Sequence, residues 1–343
     1  MPKVTPIEKR KNSHLRINLE EDVRSGITTG LEDYHFIHQS LPELNLSEID
    51  LGLSVFKKRL SAPILISSMT GGTPEAKVIN QNLAYAAQAT GIAMGIGSQR
   101  AGIDNPILSD TFRVRQVAPD ILLFGNLGAV QLNYGYGIEQ CQRAVDMIEA
   151  DALILHFNPL QEAVQPEGNT QFKGLLTKIE EICRKLLVPV VAKEVGWGFS
   201  EQAARQLCEV GVAAIDVAGA GGTSWSQVEM YRAEDEPQRR LANAFINWGI
   251  PTAQAILNVR NAAPDILIFA SGGLLTGIDI AKCIALGATL GGMTSAFLRA
   301  AVESPEATLQ AINEIKREIQ ICMFAAGIGN LAQLSQTSLI KSE

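Results

Sequence analysis

Cysteine is scarce and scattered in this sequence. Its five cysteines, Cys141, Cys183, Cys208, Cys283 and Cys322, form no CxxC pair, which excludes a disulfide framework and a thiolate zinc site. Histidine is scarcer: His14, His35, His38 and His156 are all there are, too dispersed for a His-rich metal centre. No run of about 18 apolar residues occurs, and the first residues, MPKVTPIEKRKNSHLRINLE, lack the apolar core of a secretory signal. Basic charge is not in excess either, since 29 Lys and Arg against 36 Asp and Glu give a net −7. That balance disfavours a nucleic-acid partner, although it permits a local basic pocket for a small anion. The expectation is a cytoplasmic protein with reduced thiols, no nucleic acid and no membrane insertion.

What is present is order. Eight short apolar runs begin at residues 63, 92, 121, 152, 188, 213, 266 and 288. They are near-continuous rather than alternating, as expected of strands buried on both faces under helices. Amphipathic segments at 76–90, 140–150, 175–187, 201–210 and 277–286 lie between them, and Gly91, Gly211 and Gly287 mark helix ends. Length alone would allow two domains, but eight strand–helix units predict one (β/α)8 TIM barrel over 63–343. Residues 1–62 read as an irregular N-terminal arm that covers the barrel and lends substrate-binding residues. The long interval at 219–265 predicts an extended active-site loop in addition to a helix.

In such a barrel, chemistry collects after the strands. The strand ends here read Ser67-Ser68-Met69-Thr70-Gly71-Gly72, Gly97-Ser98-Gln99-Arg100, Asn126, His156-Phe157-Asn158-Pro159-Leu160-Gln161-Glu162, Lys193-Glu194, Gly221-Gly222-Thr223-Ser224-Trp225, Ser271-Gly272-Gly273 and Gly292-Met293-Thr294-Ser295. Gly272-Gly273, with Met293-Thr294 opening a helix, suits a phosphate received by backbone N–H groups. The same glycines would also serve plain tight turns. Lys193 closes an apolar strand and needs an anionic partner, either a flavin N1–C2=O edge or a carboxylate, Glu194 or one on a neighbouring strand; a Schiff-base lysine is the third reading. Glu162 beside amides suits Mg²⁺, which takes few protein oxygens and several from a phosphorylated substrate. Arg10, Lys11 and His14 by themselves read as a solvated charged tail, but with Arg100 they form a local basic group that could hold a diphosphate.

The order and spacing of these motifs resemble the type 2, FMN-dependent isopentenyl-diphosphate isomerases, from Arg10 to about Ala301. The resemblance rests on Arg10-Lys11-x-x-His14, Met69-Thr70-Gly71-Gly72, Gly97-Ser98-Gln99-Arg100 and His156-x-Asn158-x-x-Gln161-Glu162. It continues in Gln165-Pro166-Glu167-Gly168, Lys193-Glu194, Gly221-Gly222-Thr223-Ser224-Trp225 and Ser271-Gly272-Gly273. It implies interconversion of isopentenyl and dimethylallyl diphosphate in isoprenoid biosynthesis, with reduced FMN, NADPH as reductant and Mg²⁺, in a homotetramer or homo-octamer. By position, Met69, Thr70, Gly71, Ser98, Asn126, Lys193, Thr223, Gly272, Gly273, Met293 and Thr294 would contact FMN. Arg10, Lys11, His14, Ser98, Gln99, Arg100 and Gln161 would bind substrate. Gln161, His156 and Asn158 would line the reacting part, and Glu162 would bind the metal. The family chemistry implies that the flavin moves the protons.

One position departs from the family pattern. Where the family has Gly-Gly-hydrophobic-Arg after strand seven, with the Arg neutralising the FMN phosphate, this chain has Gly272-Gly273-Leu274-Leu275. The alternatives are an FMN-dependent 2-hydroxy-acid oxidase, which needs a late-strand histidine that is absent after His156, and a non-catalytic flavin-binding barrel.

Overall fold

The apolar runs become parallel strands because each is sealed on both faces. A computed structural model describes residues 6–342, with side chains from Arg10 onward; residues 1–5 of the expected arm and Glu343 lie outside the described residues. The strands are β1 (Ile64–Ile66), β2 (Ala93–Gly95), β3 (Leu123–Gly128), β4 (Ala152–Phe157), β5 (Val190–Glu194), β6 (Ala214–Asp216), β7 (Leu267–Ser271) and β8 (Leu290–Met293). Each pairs in parallel with its neighbours in the chain. The barrel closes where Gly291, Gly292 and Met293 pair with Ile64, Leu65 and Ile66. Leu65, Ala93, Phe124, Ile154, Val191, Ala214, Phe269 and Leu290 fill the interior. Their alternates, among them Ile64, Ile66, Met94 and Leu123, pack under the surrounding helices. This is the (β/α)8 architecture that the runs predict.

The N-terminal end of the barrel is plugged. A hairpin of Leu53–Val55 and Lys58–Leu60 turns through Phe56 and Lys57, both at positive φ (46° and 66°), the left-handed pair of a two-residue hairpin turn. The turn presents Phe56 edge-on to Phe124 and Phe269, each 6.3 Å away, while those two rings lie 5.7 Å apart. The C-terminal end is therefore the open one.

Two segments differ from the sequence reading. The start of the arm is not irregular: α1 (Pro6–Glu20) is a 15-residue helix, with proline tolerated at its first position. It lies against α8 (Trp225–Arg232), with the His14 and Trp225 rings 5.1 Å apart and Ile17, Val23 and Val228 in one apolar cluster. The 219–265 interval is mostly helical rather than an extended loop, holding α8, α9 (Glu236–Asn243) and α10 (Thr252–Ala262). In α9 the Asp235 side chain caps Gln238 N–H, but only Ala242 is buried. Its apolar period is therefore too thin to detect in the sequence. Among the described residues, no helix is long and apolar enough to cross a membrane.

Because Phe124 is fully buried and meets both other rings, Phe124→Ala is expected to destabilise the fold by about 3–5 kcal/mol. Urea unfolding measures this. A loss below about 1 kcal/mol would mean that the plug is not a packed core.

Candidate active site at the barrel mouth

All eight strands deliver their C-terminal ends to one rim, and α1 reaches that rim from outside the barrel. Lys11 on α1 donates to the carbonyls of Gly71 (2.6 Å) and Ser98 (2.9 Å) and lies 4.9 Å from the Phe112 ring centroid. It thereby ties the helix to the loops after β1 and β2. Glycine is required at position 71, since a Cβ there would collide with the Phe112 ring. Burial, with Arg10 beside it, pulls the Lys11 ammonium down to about 7. Arg10 is likewise pushed down by burial and by Arg100 and Arg232, against the opposing pull of Glu162 and Glu167. Several cations crowded into a half-desolvated pocket invite an anion.

Arg100 opens α3 (Arg100–Asp104) and donates to Asn169 Oδ1 (3.2 Å). Its neighbour Gln99 requires a correction. The sequence reading gives it to substrate, but its side chain is fully buried behind the rim. There it donates to Ala144 O (2.8 Å) and accepts from Asn126 N–H (2.8 Å). Its amide is spent on joining the loop after β2 to β3. Ser98 stays at the rim, with its carbonyl on Lys11.

The β4 end carries the densest polar network. His156 Nδ1–H donates to Asn126 Oδ1 (2.7 Å). Burial, then Lys193 and Lys11, lower its pKa to about 4, so it is neutral near pH 7. Asn158 precedes α5 (Pro159–Val164) without capping it; its side chain instead donates to Gln161 Oε1 (3.1 Å) and Glu162 Oε1 (2.9 Å). The other Glu162 oxygen accepts Asn169 N–H (2.5 Å). Gln161 Nε2 donates to Glu229 Oε1 (3.1 Å), which also accepts from His14 Nε2 (3.1 Å). Arg232 binds Glu229 and reaches Glu167 at 2.8 Å. Burial alone would raise the Glu229 carboxyl, but hydrogen bonds from His14 and Gln161 and the charge of Arg232 hold it below the usual range. The sequence reading misses Glu229. Its i,i+3 spacing to Arg232 is visible, but its approach to α1 and α5 is not.

At β5, Lys193 pairs with Asp216 Oδ2 (2.7 Å), the carboxylate of a neighbouring strand. Glu194 does not meet it. Glu194 Oε2 instead accepts the N–H groups of Val195 (2.7 Å), Gly196 (2.9 Å) and Trp197 (2.6 Å), and burial raises its carboxyl to about 7. Farther round the rim, a Cβ on Gly222 or Gly273 would strike the facing backbone. The loops carrying Thr223 and Gly272 thus touch through bare main chain. Beside them, on the adjacent strand, Met293 and Thr294 lead into α12 (Ser295–Glu303), whose first N–H groups have no side-chain cap. Leu275 is 69% exposed, and no Lys or Arg occurs in 271–295 except Lys282, which donates to Leu31 O (2.9 Å).

These residues fit both groups that the sequence reading implies. Ser67 Oγ, Ser68 Oγ and Asn158 Oδ1 are buried at the mouth without a hydrogen-bond partner among the described residues, and buried polar atoms require one. Together with the bare main chain and the uncapped α12, they suit a polar, phosphate-bearing cofactor. No cluster of three or more His, Cys, Asp or Glu that could hold a metal occurs among the described residues. The single carboxylate of Glu162 accordingly fits an ion completed by substrate and water oxygens, as Mg²⁺ is.

Comparison with known proteins is consistent with this geometry. The chain is 55% identical over 336 residues to the isopentenyl-diphosphate delta-isomerase of Nostoc sp., covering 97% of this chain and 96% of that one. The enzyme of the same name from Synechocystis sp. is 56% identical over 331 residues (96% and 95% covered). That of Rickettsia bellii is 51% identical over 331 residues (96% and 97%). A family model described as FMN-dependent dehydrogenase matches residues 146–341. Among solved structures, mandelate oxidase with (S)-2-phenylpropionate superposes with a TM-score of 0.68 at 16% identity, covering 99% of each chain. At that identity the likeness is one of fold.

With Lys11 held near 7, its charge is present below that pH and lost above it. Diphosphate affinity, measured by calorimetry with inorganic pyrophosphate, is expected to fall in the native protein relative to Lys11→Arg as pH rises from 6 to 8.5. A ratio that does not move with pH would show that Lys11 does not titrate at this site.

Proposed function

Because the chain belongs to the type 2, FMN-dependent isopentenyl-diphosphate delta-isomerases, we propose that its barrel mouth interconverts isopentenyl and dimethylallyl diphosphate using reduced FMN and Mg²⁺. The observation that carries the finer reading is the buried Gln161 amide, fixed at both ends by Asn158 and Glu229, in a site whose one ammonium held near 7, Lys11, is tied to the Gly71 and Ser98 carbonyls. His156 is neutral, Glu229 is ionised against Arg232, and Glu194 is spent on its own loop. Reduced FMN, when bound, supplies the proton donor and acceptor for the double-bond shift.

The chain's own residues bind, orient and exclude. Arg10, Lys11 and Arg100 gather the diphosphate, with His14 oriented on Glu229, and Glu162 would hold Mg²⁺, whose charge would offset that of the diphosphate. Gln161 lies against the allylic carbons as a polar but uncharged wall, and His156 and Asn158 continue it. Met69, Thr70, Gly71, Ser98, Asn126, Lys193 and Thr223 surround the flavin, and Gly272, Gly273, Met293 and Thr294 receive its phosphate. Within the 1–62 arm that precedes the 63–343 barrel, α1 lends Arg10, Lys11 and His14 to the mouth, and the hairpin at 53–60 closes the other end. A cytoplasmic homotetramer or homo-octamer reduced by NADPH completes the reading.

The test is an anaerobic assay of the purified protein with isopentenyl diphosphate, FMN, NADPH and Mg²⁺, following solvent deuterium incorporation. Isomerisation with deuterium uptake is expected, and Gln161→Ala should lower kcat by about 100-fold or more. Full activity with 5-deazaFMN would overturn the flavin's role, and oxidation of a 2-hydroxy acid would point to an oxidase instead. Because no cation stands where Leu275 does, Leu275→Arg is expected to tighten FMN binding about tenfold or more, the worth of one charge-assisted hydrogen bond (about 1.5–3 kcal/mol). Fluorescence titration measures this, and an unchanged Kd would count against a phosphate at that turn.

A further inference from the structure

On the side of the mouth away from α1 lies an ion pair that substrate binding does not use. Lys193 of β5, Asp216 of β6 and Ser271 of β7 stand on three consecutive strands, with Lys193 and Asp216 in register. Lys193 Nζ donates to Asp216 Oδ2 (2.7 Å) and to Ser271 Oγ (2.9 Å), and Ser271 Oγ–H donates to Asp216 Oδ1 (2.6 Å). The triangle is therefore closed by hydrogen bonds. Asp216 Oδ1 also accepts Ala218 N–H (3.3 Å), where the chain turns with φ at 33°, a region that disfavours side chains. The Asp216 side chain is 1% exposed and that of Lys193 is 9%.

So dry an ion pair is weak evidence for stability, because desolvation offsets most of the attraction. Its consequence is electrostatic. Two of the three ammonium N–H groups are committed inside the triangle, and the charge is matched by one carboxylate. The other groups at hand do not alter the balance. His156, in register with Lys193 on β4, is neutral, and the Glu194 carboxylate is turned to its own loop.

We propose that Asp216, oriented by Ser271, is a positioning residue that gives Lys193 a fixed direction and little net charge, so that the flavin meets a hydrogen-bond donor rather than a free cation. The proposal rests on the reading of Lys193 as a flavin contact. Reduced flavin becomes an anion when its N1 proton leaves, and an unmatched ammonium in a dry site would stabilise that anion strongly. An isomerase that must return its proton at every turnover is served by a cofactor whose protonated form stays accessible. The neutralised pair provides that.

The test uses the FMN-loaded protein and measures affinity for oxidised and reduced FMN, with the midpoint potential from dye-coupled reduction. Asp216→Asn is expected to raise the reduced-over-oxidised affinity ratio at least tenfold, about 30 mV in midpoint potential for a two-electron couple. The anionic reduced-flavin spectrum should then appear at lower pH. Ser271→Ala should shift both readouts in the same direction by less, and it carries the test if the aspartate variant does not fold. Lys193→Met should lower the ratio. An unchanged potential in Asp216→Asn, or in a folded Ser271→Ala, while Lys193→Met still shifts it, would overturn the role of Asp216 and leave Lys193 as a flavin contact. No change in any of the three would remove Lys193 from the flavin and the proposal with it.

Discussion

Everything at the mouth depends on the closure of β8 onto β1. When Gly291, Gly292 and Met293 pair with Ile64, Leu65 and Ile66, an open sheet becomes a ring whose strands all point the same way. Eight strand ends then face one small volume, and residues far apart in the chain become neighbours. Ser67 and Gly292 belong to adjacent strand ends although more than two hundred residues separate them in the chain. The aromatic plug of Phe56, Phe124 and Phe269 closes the other end, so polar groups have one place to gather.

Charge at the rim is arranged rather than accumulated. The protein is acidic overall, yet Arg10 and Lys11 of α1, Arg100 of α3 and Arg232 of α8 crowd the approach, and each carboxylate nearby has an assigned partner. Glu229 links α1, α5 and α8 through His14, Gln161 and Arg232. Glu162 is held by Asn158 and the Asn169 amide. On the opposite arc, Lys193 is balanced by Asp216. An incoming diphosphate therefore meets a group of cations, two of which, Arg10 and Lys11, are lowered by burial, whereas a flavin meets main chain, amides and a matched pair.

The barrel itself was legible in the sequence because its cause is local. A strand covered on both faces must be apolar along its whole length, and eight such runs leave few other arrangements. The glycines at 71 and 273 were legible as special positions, since bare backbone leaves a gap in the pattern of side chains. The helix at Pro6–Glu20 and the helical insert at α9 were not, because each buries so few apolar side chains, Leu15 and Ile17 in the one and Ala242 in the other, that little period shows. Gln99 misleads for a related reason. Its place in a rim motif suggests the pocket, but a side chain one residue on from Ser98 turns behind the strand and finds Ala144 and Asn126.

The sequence alone determined the eight-unit barrel, the glycine-lined turns and the basic N-terminal segment. All of these follow from the identity and spacing of residues within one stretch of chain. Only the tertiary structure decided which carboxylate meets Lys193, that Glu229 binds three helices together, and that Gln99 faces away from the mouth. Each of those depends on side chains brought together by barrel closure, and no local pattern encodes the direction in which a side chain finds its partner.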